Sequence, residues 1–487
     1  MKRLCTLTIA CFLILALLPG YASAGAAVSP EAAVQAVNIT SPPAPMLSSA
    51  PDQPSALYLK YTVKKGDTLS SISKQFGVPW RDLATQNGIK GPRYTIKPGQ
   101  ILLIPVRPML PKLPGTTGNY LILCETEEQK QCLAEFAAFK MLYGYSVTVK
   151  SVEADVKHKA NADTSEEIRQ YLKDMDKQMS LQYVLLVGSP YDEESACLQH
   201  SGGLIPMRYL YYNPANRDYS WYDDKSINVF RTPTDIYYAF DINWDFDKDG
   251  FAGEMSEVAQ SVIQAKPELL FLLGRIPFSD TKDIKTVLDS TMQYELSQKS
   301  HSDALIGSFG VWAHYSDALA KNFSNVKIEA VTLYGNDGDE PCQYKSTYPL
   351  SFDNFNREVR KKYDFVYTMG DIERYSNNPI LGKRVQAGIY FFDSSATMKV
   401  EPSKYYRVTA QDILVDGSVC AAIATTREVG FNSSQPAPRL ASRLFSNNTL
   451  NVSGEFYAAA QSSIMEGDVL EAYIYCYLGD PSITLKP

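Results

Sequence analysis

Residues 61–105 read YTVKKGDTLSSISKQFGVPWRDLATQNGIKGPRYTIKPGQILLIP and predict a small β-α-α-β unit. Tyr61 and Val63 alternate as in a short strand, and Ile101–Ile104 form a second, apolar strand. Thr68 is placed to cap the first helix, because its hydroxyl group can accept a hydrogen bond from a free backbone amide. The residues that share one helical face after this cap are Leu69, Ile72, Ser73 and Phe76.

This ordered pattern resembles the LysM module, which binds N-acetylglucosamine polymers such as peptidoglycan and chitin. The resemblance implies a glycan groove between the loop after the first strand and the loop after the second helix. Backbone amides in such loops can meet the acetamide groups of the sugar. An alternative stays open, in which the loop residues only build turns. The predicted glycan-binding residues are Gly66, Asp67, Thr68, Leu69, Asn87, Gly88 and Ile89.

The first 24 residues predict a secretory signal peptide. Two basic residues precede an apolar run from about Leu4 to Leu18, and Ala22-Ser23-Ala24 forms a cleavage site. No cysteine stands at the cleavage point, so a lipoprotein anchor is not expected. The run is shorter than the roughly 20 residues of a membrane span, and no later segment is apolar enough to cross a bilayer. We therefore expect an exported protein, located in the periplasm, on the cell wall or outside the cell.

Composition excludes several functional classes. The formal net charge is −7, and acidic and basic residues are mixed along the chain, which argues against nucleic acid as a partner. Two of the eight cysteines lie in the signal peptide, and none of the others forms a C-x-x-C pair. Disulfide bonds are allowed in an exported protein but are not established by this pattern. With only four histidines, a zinc site is not expected.

The chain divides into five segments. A signal peptide (1–24) and an Ala/Ser/Pro-rich linker (25–57) precede the LysM module (58–106), and a Pro-rich linker (107–118) precedes the remainder (119–487). In this last segment apolar strands alternate with helical patterns, and Thr164-Ser-Glu-Glu167 is a candidate capping box. Such alternation predicts an α/β domain with a mainly parallel sheet. Strands are expected at Tyr120–Cys124, Tyr145–Val149, Tyr183–Val187, Leu269–Leu273, Ala304–Phe309, Phe365–Thr368, Gly388–Phe392 and Val419–Ala424.

Several stretches of the last segment resemble the gingipain family of secreted cysteine peptidases. They are YVLLVGSP at 183–190, IPMRYL at 205–210, TPTDIYYAFDINWDFDKDGFAGE at 232–254, LLFLLGRIPFSDTKDI at 269–284 and YLGDPSITLK at 477–486. The resemblance implies a caspase-like α/β/α sandwich over most of the chain.

The acidic block after Ala239 predicts a calcium site. Oxygen-bearing side chains recur at every second position and are followed by Gly250. Calcium takes six to eight oxygen ligands in a flexible loop, whereas this many unpaired carboxylates repel one another. A solvated acidic turn is the alternative. The predicted ligands are Asp241, Asn243, Asp245, Asp247, Asp249 and Glu254.

The catalytic pair of the family is expected to be missing. Family members carry Gly-His-Gly after one buried strand and a cysteine after the next, and the histidine activates the thiol for attack on the peptide carbonyl. Here Met369 stands at the histidine position, and Ser395, or Ser394 with a shift of one residue, stands at the cysteine position. A thioether cannot accept a proton at neutral pH, and serine without a base is a weak nucleophile.

Three functions remain open after this comparison. One is a wall-bound family member without catalysis, whose vestigial cleft binds peptides or proteins. Another is an active peptidase with an atypical serine site, using Asp371, Glu373 or a histidine brought close by the fold. The last is a protein that processes or organises wall glycan, in which the large domain has a supporting role.

Overall fold

The structure is a computed structural model, and it does not describe every residue. The described residues are 57–76, 78–91, 94–106, 118–156, 163–190, 204–211, 231–248, 253–264, 266–297, 299–336, 341–369, 387–393, 398, 410–426, 439–447, 449–466 and 469–487. The predicted signal peptide, nearly all of both linkers, Asp249, Ser394 and Ser395 lie outside these residues. No helix in the described part of the chain is long and apolar enough to cross a membrane.

The N-terminal module has the predicted β-α-α-β order. It consists of β1 (Leu57–Thr62), α1 (Leu69–Phe76), α2 (Trp80–Gln86) and β2 (Ile101–Val106). The two strands are antiparallel, with Leu57 opposite Val106. The predicted cap is confirmed, since the Ser71 amide donates to Thr68 Oγ1 at 3.0 Å and the Thr68 amide donates to Ser71 Oγ at 2.9 Å. This reciprocal pair satisfies two amides at the start of α1.

The large domain contains most of the remaining elements. Its strands are β3 (Asn119–Cys124), β4 (Ser146–Ser151), β5 (Leu181–Val187), β6 (Arg208–Tyr211), β7 (Arg231–Thr234), β8 (Phe240–Asp241), β9 (Glu268–Leu269), β10 (Leu272–Ile276), β11 (Asp303–Ser308), β12 (Glu329–Tyr334), β13 (Tyr348–Pro349), β14 (Tyr363–Met369), β15 (Ala387–Asp393), β16 (Ala421–Thr425) and β17 (Tyr475–Gly479). Its helices are α3 (Glu127–Leu142), α4 (Val152–Asp155), α5 (Thr164–Met179), α6 (Ile236–Ala239), α7 (Met255–Gln264), α8 (Thr281–Ser297), α9 (Ala313–Asn325), α10 (Phe352–Glu358), α11 (Ala410–Val415), α12 (Arg439–Arg443), α13 (Val452–Met465) and α14 (Val469–Ile474).

Eleven strands form one sheet in the order β13-β12-β11-β14-β15-β16-β17-β10-β5-β3-β4. Every neighbouring pair is parallel except β16 and β17, which are antiparallel. The prediction of a mainly parallel sheet is therefore confirmed, but its two halves run in opposite directions. Met369 and Asp393 end their strands at one edge, which we call the site edge, and Tyr363 and Ala387 begin the same strands at the opposite edge.

Both faces of the sheet are covered by helices, which gives the expected α/β/α layering. One buried cluster includes Ile168 of α5, Leu319 of α9 and Phe456 of α13. The other includes Phe136 of α3 and Leu288 of α8, and it continues into the core of the LysM module. Helix α1 of the module contacts α8. The module and the large domain thus share one apolar cluster.

Two local predictions were wrong in detail. Helix α5 is capped by Asp163, whose side chain accepts a hydrogen bond from the Ser165 amide at 2.9 Å, so Thr164 lies inside the helix and does not cap it. The strand expected at Leu269–Leu273 lies mainly at Leu272–Ile276. The preceding residues instead pair with β8, because Leu269 lies opposite Phe240. The other predicted strands are confirmed with boundaries shifted by up to two residues.

Candidate functional site

One of the two predicted glycan loops lines a cavity. Asn87, Gly88 and Ile89 border a space of about 500 Å³ on the surface of the LysM module. Residues of the first predicted loop, Gly66–Leu69, do not line it. The cavity also has walls that sequence reasoning missed, namely Lys90, Gly91, Tyr94, Thr95 and Gln100.

The polar side chains predicted to bind glycan are engaged in holding turns. Asp67 Oδ2 accepts hydrogen bonds from the Tyr61 hydroxyl group and the Lys64 amide, both at 2.7 Å. The Asn87 amide group donates to the carbonyl oxygens of Leu83 and Leu103, both at 2.8 Å. Both side chains therefore shape the loops. The groups available to a sugar are therefore the backbone groups of the loop and the additional lining residues of the cavity.

Tyr94 gives the cavity an aromatic wall. Its ring centroid lies 4.9 Å from that of Trp80 in an edge-to-face arrangement, and 38% of the residue is exposed. Its φ of 44° is an unusual backbone conformation for a tyrosine. Aromatic rings present an apolar face beside a polar tip, which suits the face of a sugar ring. The only sequence signal for this role was a tyrosine in a Gly/Pro-rich loop.

Met369 lies at the end of β14, but its side chain points into the core. It is 0% exposed and belongs to the same buried cluster as Phe365 and Tyr367, which share its face of the strand. A catalytic base must reach solvent or substrate. The thioether of Met369 therefore offers neither proton-accepting chemistry nor access.

Asp393 is the ionisable group that sequence reasoning missed at this edge. It lies opposite Met369 and directly precedes Ser394. Its carboxylate accepts hydrogen bonds from the Tyr367 hydroxyl group at 2.7 Å and the Tyr475 hydroxyl group at 2.6 Å. Complete burial raises the pKa of Asp393 to about 7, and the two hydroxyl groups oppose this shift. The two hydrogen bonds hold the carboxyl group in place at the end of β15.

Of the histidines, His314 is the one that the described residues place at the site edge. Strand β11 pairs with β14, with Ser308 opposite Met369, and His314 follows β11 at the start of α9. Partial burial lowers the pKa of His314, opposed by a backbone hydrogen bond involving Val311. His301 precedes β11 at the opposite edge and contacts the Pro487 carbonyl group through Nδ1 at 2.6 Å. His158 and His200, like Asp371 and Glu373, lie outside the described residues.

The two described ends of the acidic block lie close together. The Gly253 amide donates to the Trp244 carbonyl oxygen at 2.7 Å, which brings the two ends of the loop together. Gly253 has a φ of +111°, and a Cβ atom there would lie 2.4 Å from the Tyr209 carbonyl oxygen, so only glycine fits. Asp245 and Asp247 lie within this loop and Glu254 directly follows it.

The described part of the loop does not by itself bring a ligand set together. No group of three or more His, Cys, Asp or Glu side chains suited to a metal occurs among the described residues, which exclude Asp249. Asp241 is engaged elsewhere, because it forms an ion pair with Lys173 at 2.6 Å. The Asn243 side chain accepts a hydrogen bond from the Asp245 amide at 3.3 Å. Calcium binding stays a prediction that depends on Asp245, Asp247, Asp249 and Glu254.

The described cysteines are free thiols. Cys124, Cys132, Cys342, Cys420 and Cys476 form no disulfide bond with one another, and Cys124, Cys420 and Cys476 are buried. Burial raises the pKa of the Cys420 and Cys476 thiols well above the usual range. Both are buried in the core of the large domain. Neither is suited to act as a nucleophile.

Comparison with known proteins identifies both parts of the chain. The model of the LysM domain matches residues 61–105. A Lipoprotein NlpD/LppB homolog from Pseudomonas aeruginosa is 51% identical over 43 residues, which are 9% of this chain and 14% of that protein. The chain thus spans about one seventh of that relative, and the match falls within the LysM part.

The large domain is similar to solved peptidases. A crystal structure of the Arg specific cysteine proteinase gingipain R (RGPB) has a TM-score of 0.49 and 14% identity, covering 76% of this chain and 78% of that one. A complex of Porphyromonas gingivalis RgpB pro- and mature domains has a TM-score of 0.48 and 13% identity, with 75% and 79% covered. The model of peptidase family C25 matches residues 113–387, more than half of the 487 residues. The chain is therefore a member of peptidase family C25 that carries a LysM domain.

Proposed function

We propose that this protein is exported, binds peptidoglycan through its LysM domain and has a C25 domain without peptidase activity. The observation that carries the inactive assignment is Met369, a buried thioether at the strand end where family resemblance expects the catalytic histidine. The cavity bordered by Asn87, Lys90 and Tyr94 supports glycan binding. The predicted signal peptide supports export. A cleft that cannot cut would still be able to hold peptides or proteins.

The full chain is expected to co-sediment with peptidoglycan and with chitin. Single shallow glycan sites bind weakly, so we expect dissociation constants between micromolar and millimolar, about −4 to −8 kcal/mol. Tyr94→Ala should weaken binding, because it removes the aromatic wall of the cavity. Tyr348→Ala changes a similarly exposed tyrosine of the large domain and serves as the matched control. Equal sedimentation of the wild type and an unrelated protein would refute glycan binding.

Peptidase activity is expected to be absent. Losing the base or the nucleophile typically lowers the rate by several powers of ten, even when the cleft remains. We expect no thiol-dependent cleavage of Arg- or Lys-containing fluorogenic peptides and no labelling of the site edge by thiol-directed peptidase probes.

An active serine site would give a different result. Wild-type cleavage that is abolished by Ser395→Ala would contradict the inactive assignment. His314→Ala would then be the next variant, because His314 lies at the same edge as Met369. His301→Ala, at the opposite edge, is its matched control.

We also propose that the 244–254 loop binds calcium. A ligand that binds only the folded state stabilises it by about 2.7 kcal/mol at one hundred times its dissociation constant. The melting temperature of the large domain should therefore be higher in millimolar Ca²⁺ than in chelator. Asp247→Ala should abolish the difference, whereas Asp174→Ala, an exposed aspartate of α5, should preserve it. Identical wild-type melting curves in calcium and chelator would exclude the site.

A further inference from the structure

A second pocket lies where the LysM module meets the opposite edge of the sheet. Its volume is about 160 Å³, and it is bordered by Lys64 of the module and by residues at the starts of β14 and β15. The groups that matter for its chemistry are Lys64, Gln293, Lys299, Lys362, Asp364 and Ser418. We call this the lysine pocket.

Two lysines of the lysine pocket have no direct ion pair among the described residues. Lys299 is neutralised by Asp303, both of whose carboxylate oxygens lie 2.7 Å from the ammonium nitrogen, and Asp364 lies at 3.7 Å. Lys64 and Lys362 form no ion pair with any carboxylate of the described residues. Asp67 is close in sequence to Lys64, but its Oδ2 accepts hydrogen bonds from the Tyr61 hydroxyl group and the Lys64 amide, and its carboxylate forms no ion pair with Lys64 or Lys362.

The pKa of Lys362 reflects the charges around it in the lysine pocket. Loss of solvent around its ammonium group lowers the pKa of Lys362, and the charge of Lys64 lowers it further. Asp67 opposes the shift, and Lys299 adds to it. Lys64 and Lys362 thus present two ammonium groups without a direct ion pair to any described carboxylate beside a small cavity, and an anion placed between them would be attracted by both.

From these contacts we infer that the lysine pocket binds a carboxylate group of the wall polymer, with Lys64 and Lys362 as its counter-charges. This rests on the proposed function, since the LysM domain is what brings the polymer to Lys64. A volume of about 160 Å³ suits a lactyl or amino-acid carboxylate better than a sugar chain. Gln293 and Ser418 supply hydrogen-bonding groups on the same wall. Peptidoglycan carries such carboxylates, whereas chitin carries none.

The test compares binding of the full chain to purified peptidoglycan and to chitin by co-sedimentation. The variant is Lys64→Gln with Lys362→Gln, and the matched control is Lys74→Gln with Lys345→Gln, two exposed lysines that do not line the pocket. We expect the first variant to bind peptidoglycan about 3- to 10-fold more weakly, the range for two partly exposed charge pairs. Its binding to chitin should be unchanged. The control variant should bind both peptidoglycan and chitin as the wild type does.

Chemical treatment of the wall identifies the anion. Amidation of the peptidoglycan carboxylates should lower wild-type binding to the level of the variant, and removal of wall phosphates should leave it unchanged. If removal of wall phosphates lowers binding and amidation of the carboxylates does not, the carboxylate assignment is overturned and the anion is a phosphate group. An equal loss on chitin and peptidoglycan, or no loss on either, would also overturn it while leaving LysM binding intact. Failure of the wild type to bind both polymers would refute the proposed function itself.

Discussion

Replacing Arg275 by methionine is expected to destabilise the large domain by about 3–5 kcal/mol. Arg275 is 0% exposed and forms a two-point ion pair with Asp235, with both nitrogen–oxygen distances at 2.7 Å. Methionine fills part of the volume but leaves the Asp235 charge buried without its partner. An uncompensated buried charge is the reason for the size of the effect, since an intact buried pair contributes little net stability.

The guanidinium group of Arg275 also ties two loops to the sheet. It donates to the carbonyl oxygen of Ile205 at 2.9 Å and to that of Gly188 at 3.3 Å. The ion pair joins the GRIP sequence at 274–277 to the TPTD sequence at 232–235, since the first supplies the cation and the second supplies its carboxylate.

A double variant separates the charge effect from the loss of packing. Arg275→Met with Asp235→Asn should be more stable than Arg275→Met alone, because no buried charge remains. Urea unfolding followed by tryptophan fluorescence measures both, since Trp244 is buried against Tyr237 in this domain. Lys177→Ala, which removes an exposed ion pair with Asp174, is the control and should change stability by less than about 1 kcal/mol. Equal destabilisation of the single and double variants would show that charge is not the cause.

Sequence patterns predicted the elements well where the signal is local. The LysM helices follow from apolar spacing and from Thr68, and both are properties of neighbouring residues. The buried strands appear as short apolar runs for the same reason. Boundaries were less accurate, as at Asp163 and Thr164, because adjacent residues of similar capping strength cannot be ranked by pattern alone.

Strand order and the candidate site depended on contacts between distant residues. Strand β17 comes last in the chain, yet it inserts between β16 and β10 and reverses the direction of the second half of the sheet. No local pattern encodes that placement. Asp393 shows the consequence at the site, because one of its hydroxyl donors, Tyr475, belongs to this strand. An aspartate after an apolar run was visible in the sequence, but its burial and raised pKa were not.

Replacing Lys140 by methionine is the second change expected to destabilise the domain strongly, again by about 3–5 kcal/mol. The Lys140 ammonium group is buried, and it forms ion pairs with Glu295 at 2.6 Å and with Asp480. Burial alone would lower the pKa of Lys140, but the two carboxylates raise it above its usual range. The cluster joins α3 and α8 to the segment that follows β17. Without the lysine, two carboxylates would remain close together in the core.

The effect of this change should depend on pH in a definite direction. Burial raises the pKa of Glu295 to about 7 despite the opposing charge of Lys140, and Asp480 raises it further. A carboxyl group with a raised folded-state pKa binds protons more strongly in the folded protein than in the unfolded chain. Its contribution to the stability of the folded protein is therefore lost as the pH rises from the unfolded-state pKa toward 7. Removing Lys140 raises the pKa of Glu295 further, because the positive charge that lowers it is lost. Lys140→Met should therefore be less destabilised relative to the wild type at about pH 5 than at about pH 8.

Two companion variants make this prediction specific to the buried charges. Lys140→Met with Glu295→Gln should recover part of the stability at about pH 8, because one of the two carboxylates becomes neutral. Lys285→Met removes a partly exposed lysine that pairs with Glu135 and Asp289, and solvent screening should limit its effect to about 1 kcal/mol. Urea unfolding at both pH values measures all three variants. A destabilisation by Lys140→Met that is the same at both pH values would indicate lost packing, because only a charge effect is relieved when a carboxylate takes up a proton.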